Sequence, residues 1–230
     1  MILDKERLRR NLDEVIWNIE KARIEVSEHH IVKLVVVSKY TEIANVRTLY
    51  ELGQRAFGEN QVQQLAERTE ATEDLPLEWH MIGRLQKNKI NKLIDLRPAL
   101  LQSLEGIELA QALQKRLEAK EATMQALLQI NASGEESKAG VAPEEAVESY
   151  LRIQESCPNI TLKGVMTIGA HTDDTAAIAK SFETTYRIYE ALQKEGATVC
   201  SMGMSGDYEL AIKCGSNMVR IGSALFQSKK

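Results

Sequence analysis

The sequence is short of cysteine, and the few cysteines that it has exclude two ways of stabilising a fold. Cys157, Cys200 and Cys214 are odd in number and far apart, and they form no C-x-x-C pair. No histidine stands at zinc-ligand spacing from them. We therefore expect no disulfide framework and no structural metal, a pattern that is typical of a reducing compartment.

Long hydrophobic runs are also lacking. No apolar stretch approaches the roughly 18 residues that a membrane span needs. The N-terminal segment MILDKERLRRNLDEV is charged from its fourth residue and contains no uninterrupted apolar stretch, so it does not read as a secretory signal. The sequence predicts a cytoplasmic protein with no membrane association.

A concentrated basic surface is the third absence. The chain has 29 Lys and Arg against 33 Asp and Glu, for a net charge of −4, and the two signs are interspersed. Nucleic-acid binding is disfavoured because contacts to phosphates need clustered positive charge. With 43% hydrophobic and 27% charged residues, the 230-residue chain has the composition of an ordinary globular protein.

Short β-rich runs alternate with longer amphipathic helical stretches along the whole chain. The strand candidates are residues 33–38, 55–59, 78–83, 99–104, 125–131, 162–169, 198–204 and 217–226. Regular alternation predicts βα units and a parallel sheet. Eight strands favour a closed (β/α)₈ TIM barrel, with an open doubly wound sheet as the alternative.

The domain boundaries follow from the same pattern. One amphipathic helix at about residues 4–28 precedes the first strand and is expected to pack against the barrel. The barrel itself is predicted over about residues 31–226. No linker or low-complexity tract interrupts it, so we interpret residues 1–230 as a single barrel domain.

Parallel barrels place their chemistry at the carboxyl ends of the strands, and the residues there are mostly polar or glycine. They are Ser38, Lys39, Glu59, Asn60, Gly83, Ser103, Asn131, Met166, Thr167, Met204, Ser205, Arg220, Gly222 and Ser223. These residues are the candidates for a functional site.

Lys39 ends the most apolar strand, in KLVVVSKYT. Burial favours the neutral, nucleophilic form of an amine, and a neutral amine condenses with an aldehyde or ketone to form an imine. The alternative is that Lys39 is a solvated residue after a strand, as we expect for Lys33 at the other end.

The segments SMGMSGD and RIGS, after strands 7 and 8, suggest a phosphate site. Ser205 supplies a hydroxyl, and Gly222 and Ser223 offer backbone N–H groups without a blocking side chain. Alternatively these residues simply make turns. Arg220 shares the strand parity of Gly222, so it is a candidate ligand cation, or else the partner of an internal salt bridge to a carboxylate such as Glu59.

Two further segments are ambiguous. His80, in WHMIGRLQKNK, could act on a ligand or be a packed core histidine. The loop at residues 131–140, in INASGEESKAG, could be a simple flexible connection or a lid over the barrel mouth.

An imine-forming lysine beside a phosphate cradle suggests a phosphorylated aldehyde as the ligand. Pyridoxal 5′-phosphate (PLP) is the obvious candidate. A class I aldolase that acts on a phosphorylated sugar would use the same two elements without a cofactor.

Several local patterns together resemble one family. VVVSKY, FGENQVQ, WHMIGRLQKNK, LLQINASGEESKAG, LKGVMTIG and SMGMSGDYELAIKCGSNMVRIGSALF are similar to segments of the pyridoxal-phosphate homeostasis proteins, the YggS or PROSC family. Their fold is similar to the N-terminal barrel of bacterial alanine racemase. The resemblance covers about residues 10–226.

The resemblance implies a covalent cofactor site. It implies that Lys39 holds PLP as an internal aldimine, that Ser205, Gly222 and Ser223 contact its phosphate, and that Arg220 is the partner of the pyridine nitrogen. Asn60, His80 and Met166 match motif positions near the cofactor.

The same resemblance bears on activity. An arginine leaves the pyridine nitrogen unprotonated and weakens carbanion chemistry. Racemisation implies a second base from a further domain, for which we expect no length after strand 8. The expected role is therefore buffering or delivery of PLP without turnover, by a monomer or weak dimer that passes PLP to apo-enzymes. A PLP-dependent racemase is the alternative.

Overall fold

Eight parallel strands close into a barrel in the computed structural model, which describes residues 2–39, 41–134 and 139–226. Neighbouring strands pair in sequence order, and the eighth pairs with the first, so the predicted (β/α)₈ TIM barrel is confirmed and the open sheet is excluded. The strands are β1 Lys33–Val37, β2 Ala56–Glu59, β3 Glu78–Met81, β4 Leu100–Leu104, β5 Met124–Ile130, β6 Ile160–Thr167, β7 Val199–Ser201 and β8 Met218–Ile221.

Helices surround the barrel. In the described part of the chain the α-helices are α1 Lys5–Val26, α2 Ile43–Glu51, α3 Val62–Ala71, α4 Ile90–Leu96, α5 Ile107–Ala119, α6 Ala146–Ser156, α7 Thr175–Leu192, α8 Tyr208–Lys213 and α9 Ser223–Phe226. Short 3₁₀ helices at Lys87–Lys89, Pro143–Glu145 and Gln193–Glu195 flank α4, α6 and α7.

The strands are apolar along most of their length because both of their faces are buried. One face packs inside the barrel and the other against the helices. The apolar residues that form the buried cluster inside the barrel are Val35, Ala56, Leu100, Leu127, Met166 and Met218. A larger apolar layer lies between the strands and the helices.

Helix α1 covers the side of the barrel where α8 is short. Leu8, Leu12 and Val15 are among its buried residues. Asn11 Nδ2 donates a hydrogen bond to the carbonyl oxygen of Leu225 at 2.7 Å, and Asn18 Nδ2 to the hydroxyl of Tyr208 at 3.0 Å. The N-terminal helix is therefore attached to the segments that follow β7 and β8.

Two strands end three or more residues before their predicted ends, while the other strand ends lie within two residues of the prediction. The run at 217–226 is a strand only to Ile221, because the Leu225 N–H donates to Gly222 O at 2.9 Å and opens α9. The run at 198–204 stops at Ser201, since Gly203 turns the chain with a φ of 93°. Both segments are apolar, and an apolar run alone does not distinguish a strand from the buried turn that follows it.

The described residues contain neither a membrane-spanning helix nor a cluster of metal ligands. None of their helices combines the length and apolarity needed to cross a membrane. Nor do any three of their His, Cys, Asp or Glu side chains gather as a metal site would require.

Candidate functional site

A cavity of about 960 Å³ opens at the carboxyl ends of the barrel strands. Its volume lies in the range of small-molecule sites, roughly 300 to 1,000 Å³. The polar and glycine residues that line it are Lys39, Thr41, Asn60, Gly83, Arg84, Glu105, Gln129, Asn131, Ser205, Gly206, Arg220, Gly222 and Ser223. Apolar side chains, including Val37, Ile82, Met166 and Phe226, form the remainder of the wall.

Strand parity divides the candidate residues into two groups. Lys39, Met166 and Arg220 lie on the inward face and line the cavity. The residues Ser38 and Glu59 do not line it. Ser38 Oγ donates to Glu59 Oε1 at 2.7 Å, behind the strands. Ser103 and Thr167 also lie outside the cavity lining.

Glu59 is engaged on that outer face. Its Oε1 lies 3.3 Å from Arg68 Nε of α3, and burial raises the pKa of its carboxyl. The alternative in which Glu59 forms an internal salt bridge with Arg220 is therefore wrong. Arg220 makes its contacts inside the barrel instead.

Lys39 follows β1 and is half-buried at the cavity wall beside Val37. Lys33, at the opposite end of β1, pairs with the Glu78 carboxylate at the base of the barrel. The two lysines of KLVVVSK are thus separated by the length of the strand. Lys39 is the one that presents an amine to the cavity.

Ser205 joins the loops that follow β7 and β8. Its Oγ accepts hydrogen bonds from the Gly222 N–H at 3.1 Å and from the Ala224 N–H at 3.2 Å. A Cβ at Gly222 would lie 3.0 Å from the carbonyl oxygen of Val37, so a side chain there would crowd β1. Two backbone N–H groups and a hydroxyl therefore converge at one edge of the cavity, which is the donor set that an anion requires.

Arg220 is buried, with 4% of its surface exposed, and two groups of the barrel interior hold it. Nη1 donates to Ser201 Oγ at 2.6 Å and Nη2 donates to the Thr167 carbonyl oxygen at 2.8 Å. Burial lowers the pKa of Arg220 to about 10, and the nearby Asp207 acts in the opposite direction. The guanidinium is therefore still a cation at neutral pH.

The charged side chains give the cavity a positive balance. Among the described residues that line it are three cations, Lys39, Arg84 and Arg220, and one carboxylate, Glu105. Arg84 Nε lies 3.1 Å from Glu105 Oε1. This excess of positive charge favours an anionic ligand.

Of the three residues that match family motif positions, Asn60 and Met166 line the cavity and His80 does not. The His80 ring is fully buried, and its partners are Glu78 and Gln102 at 2.8 Å each. His80 faces inward but lies too deep in the barrel to reach the cavity, so the alternative of a packed core histidine describes its surroundings.

Sequence reasoning missed two glutamines. Gln129 lines the cavity and its Nε2 donates to the Ala139 carbonyl oxygen at 2.9 Å, while Gln102 lies beneath the cavity. Gln102 is the one amide in LLQSL, and Gln129 is the buried one of two amides in MQALLQI, so buried amides in largely apolar strands were a signal that could have found them. Of the predicted lid, residues 135–138 lie outside the described residues, and its role stays a prediction.

Fold and geometry together define a class: a (β/α)₈ barrel whose mouth combines a lysine amine, a cradle of backbone N–H groups and a buried arginine. The amine suits an aldehyde carbon. The cradle and the positive balance suit a phosphate. The residues present thus fit a phosphorylated aldehyde such as PLP.

Comparison with known proteins agrees with this class. The family model "alanine racemase, N-terminal domain" matches residues 10–230. A pyridoxal phosphate homeostasis protein of Helicobacter pylori is 54% identical over 219 residues, which cover 95% of this chain and 98% of the relative. The chain therefore belongs to the family of pyridoxal phosphate homeostasis proteins.

Solved structures support the same assignment. PipY of Synechococcus elongatus PCC7942, in a structure with PLP bound, is 28% identical and superposes with a TM-score of 0.76 over 90% of this chain and 99% of PipY. An alanine racemase of Clostridium difficile is 18% identical and superposes with a TM-score of 0.77 over 97% of this chain and 57% of the racemase. The second likeness shows the shared barrel fold.

Proposed function

We propose that this protein binds PLP covalently through Lys39 and acts in cellular PLP homeostasis, by holding and releasing the cofactor rather than by turning over a substrate. The observation that carries the proposal is a single cavity that contains the Lys39 amine, the Ser205 cradle and Arg220. The name of the Helicobacter pylori relative and the PLP-bound structure of PipY support the choice of ligand.

Lys39 is the residue whose amine would bind the aldehyde of PLP. PLP supplies an aldehyde carbon on an electron-poor pyridine ring. Lys39 would hold PLP through its amine, since condensation of an amine with an aldehyde carbon forms a carbon–nitrogen double bond and releases one water in a reversible step. Because addition of water reverses the step, the protein both captures and releases its ligand.

Ser205, Gly222 and Ser223 have the role of phosphate contacts. The N–H groups of Gly222 and Ala224, which now donate to Ser205 Oγ, point into the cradle. A phosphate oxygen would take over those donors, and the freed Ser205 hydroxyl would donate to the phosphate as well. Charge-assisted hydrogen bonds of this kind are about twice as strong as neutral ones.

Arg220 argues for holding rather than turnover. A cationic guanidinium beside the ring nitrogen would leave that nitrogen unprotonated, and the ring would then be a weaker electron sink than one paired with a carboxylate. Glu105 is the one carboxylate among the described lining residues, and it pairs with Arg84. A racemase would need a second acid–base group in addition to Lys39. A Schiff-base aldolase would have no use for a ring-nitrogen partner.

The cellular setting belongs to the proposal as well. We propose a cytoplasmic location, because three widely spaced cysteines with no C-x-x-C pair suit a reducing compartment. PLP-dependent apo-enzymes are the proposed recipients of the cofactor. The expected assembly is a monomer or weak dimer.

A titration with PLP tests the covalent role. Wild-type protein should develop a visible absorption band as PLP is added, and Lys39→Ala should develop none. Lys163→Ala, which removes another half-buried strand lysine outside the cavity, is the matched control and should behave like wild type. A colourless wild-type protein, or a band that survives Lys39→Ala, would reject the proposed site.

Chiral analysis tests the absence of turnover. PLP-loaded protein incubated with single L-amino acids should leave them in the L-form. Sustained formation of D-isomer, at a rate that depends on protein concentration, would make the protein a racemase.

A further inference from the structure

A continuous chain of polar side chains crosses the barrel interior beneath the cavity. From the base to the cavity it joins Lys33, Glu78, His80, Gln102, Ser201 and Arg220. His80 Nε2 lies 2.8 Å from Glu78 Oε1, and Gln102 Nε2 lies 2.8 Å from His80 Nδ1. Ser201 Oγ lies 2.7 Å from Gln102 Oε1 and 2.6 Å from Arg220 Nη1. The chain thus links the solvent-accessible base of the barrel to the floor of the cofactor site.

The hydrogen bonds of this polar network all point the same way, from Arg220 as the first donor to Glu78 as the last acceptor. Arg220 at the upper end only donates, and the Glu78 carboxylate at the lower end only accepts. Ser201, which accepts from Arg220, must donate to Gln102 Oε1. The amide nitrogen of Gln102 then donates to His80 Nδ1, and Nε2–H of His80 donates to Glu78. One arrangement pairs every donor with an acceptor.

The protonation states agree with this arrangement. Burial lowers the pKa of His80, which favours the neutral ring that the chain requires. The hydrogen bond from His80, with a second from Lys33, lowers the pKa of Glu78 to about 2, so Glu78 is ionised at neutral pH.

The surroundings of the chain make each link costly to break. His80, Gln102 and Ser201 have no exposed surface, and the apolar cluster inside the barrel includes Leu100 and Met218. A buried polar group that loses its partner keeps its full desolvation penalty. The side chains are therefore confined to the orientations that complete the chain.

Orientation and transport of protons are two different uses of such a chain. The Gln102 amide accepts on its oxygen and donates from its nitrogen, so a proton that arrives at one atom does not leave from the other. The chain therefore orients side chains and does not conduct protons.

We propose that His80, Gln102 and Ser201 are positioning residues that fix the guanidinium of Arg220 against the ring nitrogen of bound PLP. The contacts to Ser201 and to the Thr167 carbonyl use two of the five N–H groups of Arg220. They hold the planar group at the floor of the cavity, which Arg220 lines. This role rests on the proposed function, since it requires PLP in the cavity.

The test uses PLP labelled with ¹⁵N at the ring nitrogen, whose NMR shift reports protonation of that atom. Arg220→Leu gives the ¹⁵N shift that is expected when the arginine is absent, and it serves as the reference for the other variants. Ser201→Ala, Gln102→Met and His80→Leu each remove one member of the hydrogen-bonded chain and are the link-breaking variants. His80→Asn keeps an acceptor near the position of Nδ1. Ser181→Ala is the matched control. It also removes a buried hydroxyl, with 2% exposure, but that hydroxyl donates to the Ile178 carbonyl oxygen and belongs neither to the polar side-chain network nor to the cavity lining.

We expect the three link-breaking variants to shift the ring-nitrogen signal from the wild-type position toward that of Arg220→Leu. They should also bind PLP about tenfold more weakly, the loss expected for one hydrogen bond to a charged group. His80→Asn and Ser181→Ala should keep the wild-type shift. Thermal unfolding of the apo-proteins identifies the variants that fold, and any folded link-breaking variant decides the question.

The outcomes separate the two proposals. If wild type binds PLP and Arg220→Leu moves the signal, but folded link-breaking variants keep the wild-type shift, the positioning role is overturned and the proposed function stands. A shift of equal size in His80→Asn and His80→Leu would also overturn it, because the retained acceptor would then have no effect. If wild type takes up no PLP, both proposals fail.

Discussion

At the scale of single residues, Ser205 is the residue that connects the two halves of the phosphate cradle. Its hydroxyl is the common acceptor for the N–H groups of Gly222 and Ala224, so it keeps those donors aimed at one point. This arrangement holds the cradle in shape before a phosphate arrives. Pre-organised donors bind an anion without the cost of ordering them.

Ser205→Ala should therefore weaken the binding of PLP but not that of pyridoxal, which lacks the phosphate. The loss of one charge-assisted hydrogen bond predicts a dissociation constant for PLP that is roughly ten- to a hundredfold higher. Binding titrations with both ligands measure the difference, with Ser181→Ala as the control. Equal losses for PLP and pyridoxal would show that Ser205 does not contact the phosphate.

A second prediction at the scale of single residues is that Glu78 makes the stability of the protein depend on pH. Its pKa is lowered to about 2 in the folded protein, from an ordinary value of 4.5, because His80 and then Lys33 donate to it. A lowered folded-state pKa contributes stability that is present above the unfolded-state value and is lost as the pH falls through the folded-state value.

Urea unfolding of wild type and Glu78→Gln at several pH values tests this contribution. Wild type should be the more stable protein at pH 7, and the difference should shrink as the pH falls below about 4.5 toward about 2. A difference in unfolding free energy that stays constant from pH 7 to pH 3 would show that the charge of Glu78 has no part in it.

The sequence largely predicts which side chains near the strand ends face into the barrel, but it does not predict how far below the mouth each side chain lies. Alternation along a strand tells which side chains face inward, and Lys39, Met166 and Arg220 do line the cavity. His80 also faces inward, but it lies level with Gly58 and Leu100, well below the mouth. The depth of a side chain below the mouth depends on the stagger between neighbouring strands, and the sequence of one strand does not show that stagger.

At the scale of elements, the pairing of β5, β6 and β7 depends on Gly164. Its φ is 145°, and a Cβ there would lie 1.9 Å from the carbonyl oxygen of Val199. The register between β5 and β6 shifts next to this residue. Gly164 therefore permits both the bulge and the close approach of β7.

Gly164→Ala should lower the free energy of unfolding by about 2 to 4 kcal/mol, because strain and a backbone clash act together. Gly53→Ala is the matched control, since Gly53 also has a positive φ, of 102°, but a Cβ there would meet no atom within 4 Å. It should cost only about 1 kcal/mol. Chemical denaturation measures both, and equal losses would mean that the Val199 contact is relieved at no cost.

Element types were predictable, and their ends were less so. The eight apolar runs became eight strands because burial on both faces gives a parallel barrel strand an unmistakable composition. The end of β8 was misplaced because Ser223–Phe226 is apolar for another reason: Leu225 is buried, and its carbonyl oxygen accepts from Asn11 of α1. That contact spans 214 residues and is invisible in the local pattern.

At the scale of the whole molecule, closure of the barrel brings distant segments to one site. Lys39 follows the first strand, and Arg220 lies in the eighth, whose register pairs Arg220 with Val35 of β1. Helix α1 fixes the segment after β8 from outside, through Asn11. Residues from the first and the last strand thus meet at the cavity, and the site depends on a fully closed barrel.

The most direct test of the central claim is reduction of the PLP-loaded protein with borohydride, followed by peptide mass mapping. We expect one major adduct, on Lys39, with the mass of a pyridoxyl phosphate group. We also expect that Lys39→Ala yields no such adduct while Lys163→Ala yields the wild-type one. An adduct found mainly on another lysine, or none in a wild-type protein saturated with PLP, would contradict the account.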